Sequence, residues 1–271
     1  MSPRTSVRQL LVDCGLPVAE ARALLAQVGG FARETLIAHP DRTVEAGIAE
    51  SFAGLAAQRL AGMPMAYLLG TQEFFGRAFR VTPDVLIPRP ETEMLVELAL
   101  ESIAALRAPA VLELGTGSGC IAASIALARP DAAVTATDTS IAALAIAREN
   151  LQLLGAHATL VASDWYAAID GRFDLVVSNP PYVARSDPHL DELRFEPRAA
   201  LTDEADGLGP LRAIVGGAPA HLRVRGRLFV EHGYDQGAAV RALLQAAGFL
   251  DAETLRDLAG HERVGAGGSL R

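Results

Sequence analysis

From residue 109 onward, short apolar runs alternate with longer stretches of helical period, and that alternation leaves the chain few architectures. Val111–Leu114, Ala133–Thr137, Thr159–Val161, Leu175–Ser178 and Leu228–Glu231 read as strands. Ile121–Ala128, Ile141–Leu154, Leu211–Leu222 and Ala238–Ala247 carry apolar residues at three-to-four spacing and read as helices. Strands that are apolar nearly throughout must be covered on both faces, and a helix joining two of them makes them parallel. The expectation is an α/β domain with an open, mostly parallel sheet and helices on both faces.

The start of the chain has a different period. Val7, Leu10, Leu11 and Cys14 form one helical stripe, and Ala21, Leu24, Leu25 and Val28 form a second that Gly29-Gly30 ends. Ile48, Phe52, Leu55 and Ala56 form a third. Phe74 to Val81 suggests a hairpin turning at Gly76, and Pro90-Glu91-Thr92-Glu93 opens a helix with acids in its first turn. The expected division is therefore a helical domain at 1–72, a hairpin and linker at 73–89, and the α/β domain at 90–271.

Composition removes several chemistries. All 24 basic residues are arginine, so there is no Walker-type phosphate lysine and no Schiff-base lysine. The net charge of −8 belongs to the later part: residues 1–85 balance eight arginines with eight acids, while the rest carry sixteen against twenty-four. No basic stripe for nucleic acid stands out. Ser2–Gln9 is polar and no secretory core follows it. No apolar stretch approaches the ~20 residues needed to span a bilayer. Cys14 and Cys120 are far apart without a partner motif, which fits a reducing, cytoplasmic setting. The six histidines are scattered without ligand spacing, so no metal site is expected.

Glu113-Leu114-Gly115-Thr116-Gly117-Ser118-Gly119 stands where the first strand of this domain meets its helix. Glycines let a ligand approach the backbone, and the helix N-terminus offers free N–H groups. The Gly-x-Gly-x-Gly spacing differs from the dinucleotide fingerprint, and Thr116 stands where a hydrolase elbow needs glycine. A plain glycine turn remains open as a reading. Asp138 ends the next strand, where a carboxylate can accept from a ribose diol. It is not needed as a helix cap, because Thr139 or Ser140 can serve. Trp165, the only tryptophan, follows the third strand and can pack on an adenine or fill the core.

The strand Phe173–Ser178 runs directly into Asn179-Pro180-Pro181-Tyr182. Two prolines stop the ladder and stiffen the chain. An amide or aromatic amine nitrogen is a weak nucleophile, because its lone pair is delocalised. A site for it would hold its N–H groups with fixed acceptors and aim the nitrogen at an electrophile. The Asn179 side-chain oxygen and the Pro180 carbonyl are such acceptors, and Tyr182 can pack on a flat group. This makes Asn179, Pro180 and Tyr182 the candidate catalytic residues and Asn179–Tyr182 the candidate substrate site.

The loop and this tetrapeptide resemble those of class I, Rossmann-like methyltransferases that act on amino groups. Gly62-Met63-Pro64, Tyr67–Gly70, Phe74–Gly76, Val85–Glu93, Glu196-Pro197, Asp206–Leu208 and Glu231-His232-Gly233 extend the likeness. With them the chain closely resembles the HemK-type glutamine methyltransferases of peptide chain release factors. That resemblance implies S-adenosyl-L-methionine as cofactor, held by Gly115, Thr116, Gly117, Ser118, Gly119, Asp138, Trp165 and Asn179. It implies a release factor as protein substrate, docked by the helical domain and methylated on the glutamine of its Gly-Gly-Gln loop. A sister enzyme acting on a ribosomal protein shares most of these motifs, and an adenine N6 methyltransferase shares the tetrapeptide. The tail His261–Leu270 departs from the family pattern, and its glycines are expected to weaken a final strand at the sheet edge.

Overall fold

In the computed structural model, residues 5–268 are described; Ser2–Arg4 of the polar start and Ser269 and Leu270 of the tail lie outside them. The chain divides into two compact units, Met1–Thr71 and Gln72–Arg271.

The first unit is helical: α1 Val7–Asp13, α2 Val18–Gly29, α3 Arg33–Ala38, α4 Ala46–Leu60 and α5 Met65–Leu69. Ser6 starts α1 with a reciprocal capping box with Gln9. The sequence stripes become its core, where Val7, Leu24, Leu25 and Phe52 are at most 1% exposed. Fully burying each such side chain contributes about 1.5–3 kcal/mol. Arg59 grips Glu20 with two hydrogen bonds of 2.7 and 3.1 Å, tying α4 to α2. The short helices α3 and α5 carry too few turns to show a period, and the sequence did not reveal them.

The hairpin β1 Thr71–Phe74 and β2 Arg77–Arg80 turns through Phe75 and Gly76 at φ of 50° and 70°. Both central residues are left-handed, as the twist of a tight hairpin favours. A single helical turn at Pro90–Thr92 then leads into α6, Glu93–Ile103.

The α/β unit continues through β3 Ala110–Leu114, α7 Cys120–Ala128, β4 Ala133–Asp138, α8 Ile141–Leu154, β5 Thr159–Ala162 and β6 Phe173–Ser178. It closes with α9 Gly209–His221, β7 Leu222–Glu231, α10 Gly237–Ala246, β8 Glu253–Arg256 and β9 Glu262–Gly267. The seven-stranded sheet runs β5-β4-β3-β6-β7-β9-β8. All pairs from β5 to β7 are parallel, while β9 is antiparallel to both neighbours. Neighbouring residues of the central strands β3 and β6 serve two separate cores. Val111, Leu175 and Val177 join the core that includes residues of α6 and α7, whereas Leu112, Leu114 and Val176 join that of α9 and α10.

The final strand corrects one expectation. Glu262–Gly267 is not a frayed edge but an inner strand, hydrogen-bonded on both sides. Its glycines make room: a Cβ on Gly265 would come 2.4 Å from Val240, and one on Gly267 would come 2.7 Å from Phe249. Two ladders offset the weak intrinsic preference of glycine, and the missing side chains let α10 pack close. No helix among the described residues is long and apolar enough to cross a membrane.

Candidate active site

The chain order reverses at β3. From there it goes outward to β4 and β5, then returns to the other side as β6. The C-terminal ends of β3 and β6 flank the crevice this leaves, which is where open α/β sheets bind ligands. A cleft opens there, and Gly115, Thr116, Gly117, Ser118, Asp138, Trp165, Asn179 and Pro181 line it. Gly119, Pro180 and Tyr182 are not part of its lining. Val85, Leu86 and Pro88 contribute an apolar wall, with Ala199 and Ala200. These wall residues were not predicted, since nothing in their spacing marks a site.

The glycine loop is held from several sides. Gly115, Gly117 and Gly119 all lie at positive φ, between 54° and 79°, a region costly for other residues. A Cβ on Gly119 would also stand 3.1 Å from the Ala147 Cβ, so glycine lets α7 approach α8. The Thr116 N–H donates to the Thr137 carbonyl at 2.8 Å. Asn150, 1% exposed on α8, donates to the Ser118 carbonyl at 2.8 Å and exchanges two bonds with Arg80 of β2.

Two acids anchor this loop. Asp138 accepts from the Gly117 N–H and the Ser140 N–H, each at 2.9 Å, while the Ser140 hydroxyl caps α8. The carboxylate therefore fixes the loop as well as facing the cleft, and each oxygen keeps a further lone pair for a ligand hydroxyl. Glu113 is fully buried below; its Oε2 accepts from the Thr116 hydroxyl at 2.7 Å and the Ala122 N–H at 3.0 Å. Its Oε1 has no partner among the described residues. Burial, against the pull of those two bonds, pushes the carboxyl up to about 8. The same burial, reinforced by Glu113, pushes the Cys120 thiol up to about 12, so it stays protonated.

Trp165 sits at φ +47°, with its ring 3.7 Å from where a Gly115 Cβ would be. Ser163 holds that turn, donating to the Trp165 carbonyl and accepting from the Ala168 N–H, both at 2.9 Å.

The Asn-Pro-Pro-Tyr turn is gripped on its far side. Gln236 donates to the Tyr182 carbonyl at 2.9 Å, and Asp203 accepts from the N–H groups of Ala205, Gly207 and Gly209. Asn179 donates to the Thr92 hydroxyl at 3.0 Å. Thr92 and Tyr182 both donate to Glu231, at 2.7 and 3.1 Å. Burial lifts Glu231 to about 7, partly countered by those two bonds and by Arg263. Burial first, and then the charge of Glu231, drives the Tyr182 phenol well above its usual range. The preceding segment is clamped as well: Glu196 pairs with Arg89 and accepts from the Ile87 N–H at 3.0 Å. Sequence reasoning missed Thr92, Glu113 and Glu231 as site residues, although the acid-bearing Glu231-His232-Gly233 ending of an apolar strand was a signal.

The cleft fits S-adenosyl-L-methionine. It joins a carboxylate for a ribose diol, an apolar wall with an indole for a flat base, and glycine backbone free of side chains. Among the described residues no group of three or more His, Cys, Asp or Glu is placed to hold a metal.

Comparison with known proteins points the same way. Residues 91–194 match the methyltransferase small domain family, and residues 4–70 match the PrmC N-terminal domain. A solved methyltransferase from Pyrococcus furiosus shares the fold at TM-score 0.55 and 19% identity, over 81% of this chain and all of its own. The release factor glutamine methyltransferase of Bordetella pertussis is 55% identical over 97% of this chain and 99% of its own. That of Burkholderia pseudomallei is 53% identical over 98% and 96%. Identity at that level, end to end and through both units, carries more than a shared fold does, and the chain belongs to the release factor glutamine methyltransferase family.

Proposed function

We propose that this enzyme transfers a methyl group from S-adenosyl-L-methionine to the side-chain amide nitrogen of the glutamine in the Gly-Gly-Gln motif of peptide chain release factors. The observation that carries the reading is the placement of Asn179 and Pro181 in the same cleft as the glycine loop, Asp138 and Trp165.

When bound, the cofactor supplies an electrophilic methyl on a sulfonium. The protein's own part is to hold and orient. Asp138 would take the ribose end, Gly115, Thr116, Gly117 and Ser118 would hold the cofactor with Gly119 shaping the loop beside them, and Trp165 with Val85 and Leu86 would cover the base. Asn179 Oδ1, to which no described residue donates, would accept from one N–H bond of the substrate amide, and the carbonyl of Pro180, which stands between the lining residues Asn179 and Pro181, would accept from the other. As the nitrogen gains positive charge those protons become more acidic, so both bonds strengthen in the transition state. No general base is required, because the proton can leave after transfer. The helical unit is assigned to docking the release factor. Two free thiols suit a reducing compartment, and we place the reaction in the cytoplasm.

The test is to incubate the enzyme with labelled cofactor and, separately, a release factor, ribosomal proteins and DNA. Label on the Gly-Gly-Gln glutamine is expected. Label confined to ribosomal protein or to DNA overturns the substrate assignment.

A further inference from the structure

Glu231 is 1% exposed at the end of β7 and has no salt-bridge partner among the described residues. Its neighbour in charge, Arg263 on β9, is paired with Asp257. A buried carboxylate held by two hydroxyls is a poor way to stabilise a fold, because desolvation costs more than neutral donors return. The same volume of apolar side chain would be more stable. What the carboxylate does provide is polarity, and its two partners both lead to the Asn-Pro-Pro-Tyr turn.

We infer that Glu231 is a positioning residue: by accepting from Thr92 and Tyr182 it sets which way the Asn179 amide faces. The inference rests on the function proposed above. An ionised carboxylate can only accept, so the single proton of the Thr92 hydroxyl points at Glu231. Thr92 Oγ1 then has only lone pairs left, and the group beside it must be a donor. Asn179 therefore turns its NH₂ to Thr92, at 3.0 Å, and its Oδ1 to the other side. Without Glu231 the hydroxyl is free to rotate and donate to Oδ1, which flips the amide. The cleft would then offer a donor to a substrate amide that needs an acceptor. The second oxygen fixes the Tyr182 ring through its hydroxyl at 3.1 Å. The relay joins residues 87 and 139 positions apart in the chain.

The experiment uses the full-length enzyme at pH 8, above the value of about 7 to which burial lifts Glu231. Thr92→Val keeps the shape and removes the hydroxyl; Thr92→Ser restores it; Glu231→Leu removes the acceptor. For Thr92→Val and Glu231→Leu, kcat on release factor falls about 10- to 100-fold, less than expected for deleting a direct contact to the transition state. Cofactor Kd stays within about twofold, and Thr92→Ser keeps most of the turnover. The double variant is no worse than the poorer single one, because both break one relay. In an Asn179→Ala background, Thr92→Val has no further effect. Additive losses, or a Thr92→Val enzyme as fast as wild type, overturn the inference.

A second readout needs no protein substrate. The side-chain amide signals of Asn179 in nitrogen-15 spectra of the cofactor-bound enzyme move in Thr92→Val and Glu231→Leu but not in Thr92→Ser. Unmoved signals overturn the relay even if release factor proves to be the wrong substrate. A wild-type enzyme inactive on release factor, with the signals moving as stated, overturns only the substrate.

Discussion

The buried Glu113 makes a quantitative demand on the pH dependence of stability. Its carboxyl is fully buried, with one oxygen unpartnered among the described residues, and burial lifts it to about 8 from an ordinary value of 4.5. Between those values the unfolded chain has released the proton and the folded chain still holds it. Raising the pH therefore favours unfolding. The contribution to stability is full below pH 4.5 and is lost as pH rises through 8. Each pH unit inside the window costs about 1.4 kcal/mol, and titration flattens the last half unit. From pH 6 to pH 8 the loss is about 2 kcal/mol, out of a total stability of about 5–15 kcal/mol. Glu113→Gln cannot ionise. Its side-chain oxygen can still accept from Thr116 and Ala122, and its amide stands where the protonated acid already had an unpartnered group. At pH 6 the two proteins should agree within about 1 kcal/mol, the scale of one hydrogen bond. At pH 8 the variant should be the more stable by about 2 kcal/mol. Urea unfolding without cofactor, followed by fluorescence of Trp165, reads this unit directly, because it holds the only tryptophan. Glu231 titrates in both proteins and cancels in the difference. A difference in unfolding free energy that stays flat within about 0.5 kcal/mol across that range, below the scale of a single hydrogen bond, refutes the reasoning.

Three further outcomes follow from the cleft. Asn179→Ala should lower kcat by about 100- to 1,000-fold, the usual loss for a fixed transition-state contact, with a much smaller change in cofactor Kd; equal losses in steady-state kinetics and calorimetry would make the residue structural. Asp138→Ala removes an acceptor of charge-assisted bonds worth about 1.5–3 kcal/mol, so calorimetry should show cofactor binding weaker by about 10- to 100-fold, and unchanged affinity removes its ribose role. Gly207 lies at φ +73° with Tyr182 O 2.3 Å from where a Cβ would be, so Gly207→Ala should destabilise by about 1–3 kcal/mol in thermal melts and impair turnover through the displaced turn. A Gly207→Ala enzyme with wild-type melting and kinetics would mean the loop does not hold the turn.

What was legible in the sequence divides along the range of the interactions. The glycine loop, Asp138 and the Asn-Pro-Pro-Tyr turn could be read because each is a local device at a strand end, and βα alternation brings strand ends together. Thr92, Glu113 and Glu231 could not be assigned roles that way. Thr92 reads as part of a helix start and Glu231 as a polar strand end, and only packing makes them partners across 139 positions. The tail shows the opposite failure. By propensity alone Gly265 and Gly267 read as weakness in a strand, whereas the close approach of Val240 and Phe249 makes small residues necessary. Local propensity carries no knowledge of what packs on top.

The two unpredicted acids share a physical logic. Each ends or nearly ends a buried strand of the sheet, each lacks a cationic partner among the described residues, and each is lifted toward neutrality by burial. Stability alone would replace them with leucine or methionine, since a buried carboxyl is costly whether it stays neutral with part of its hydrogen-bonding capacity unused or ionises without a counter-charge. They sit instead directly behind the parts of the cleft that must not rotate. Glu113 accepts from Thr116 inside the glycine loop, and Glu231 accepts from the Thr92 hydroxyl beside Asn179 and from the hydroxyl of Tyr182 itself. An apolar side chain can fill those volumes, but it cannot dictate which end of a hydroxyl or an amide faces the ligand. A reaction that depends on acceptors aimed at a weak nitrogen nucleophile needs that dictation, and a fold that places such costs behind its cleft gives up stability where orientation is decided.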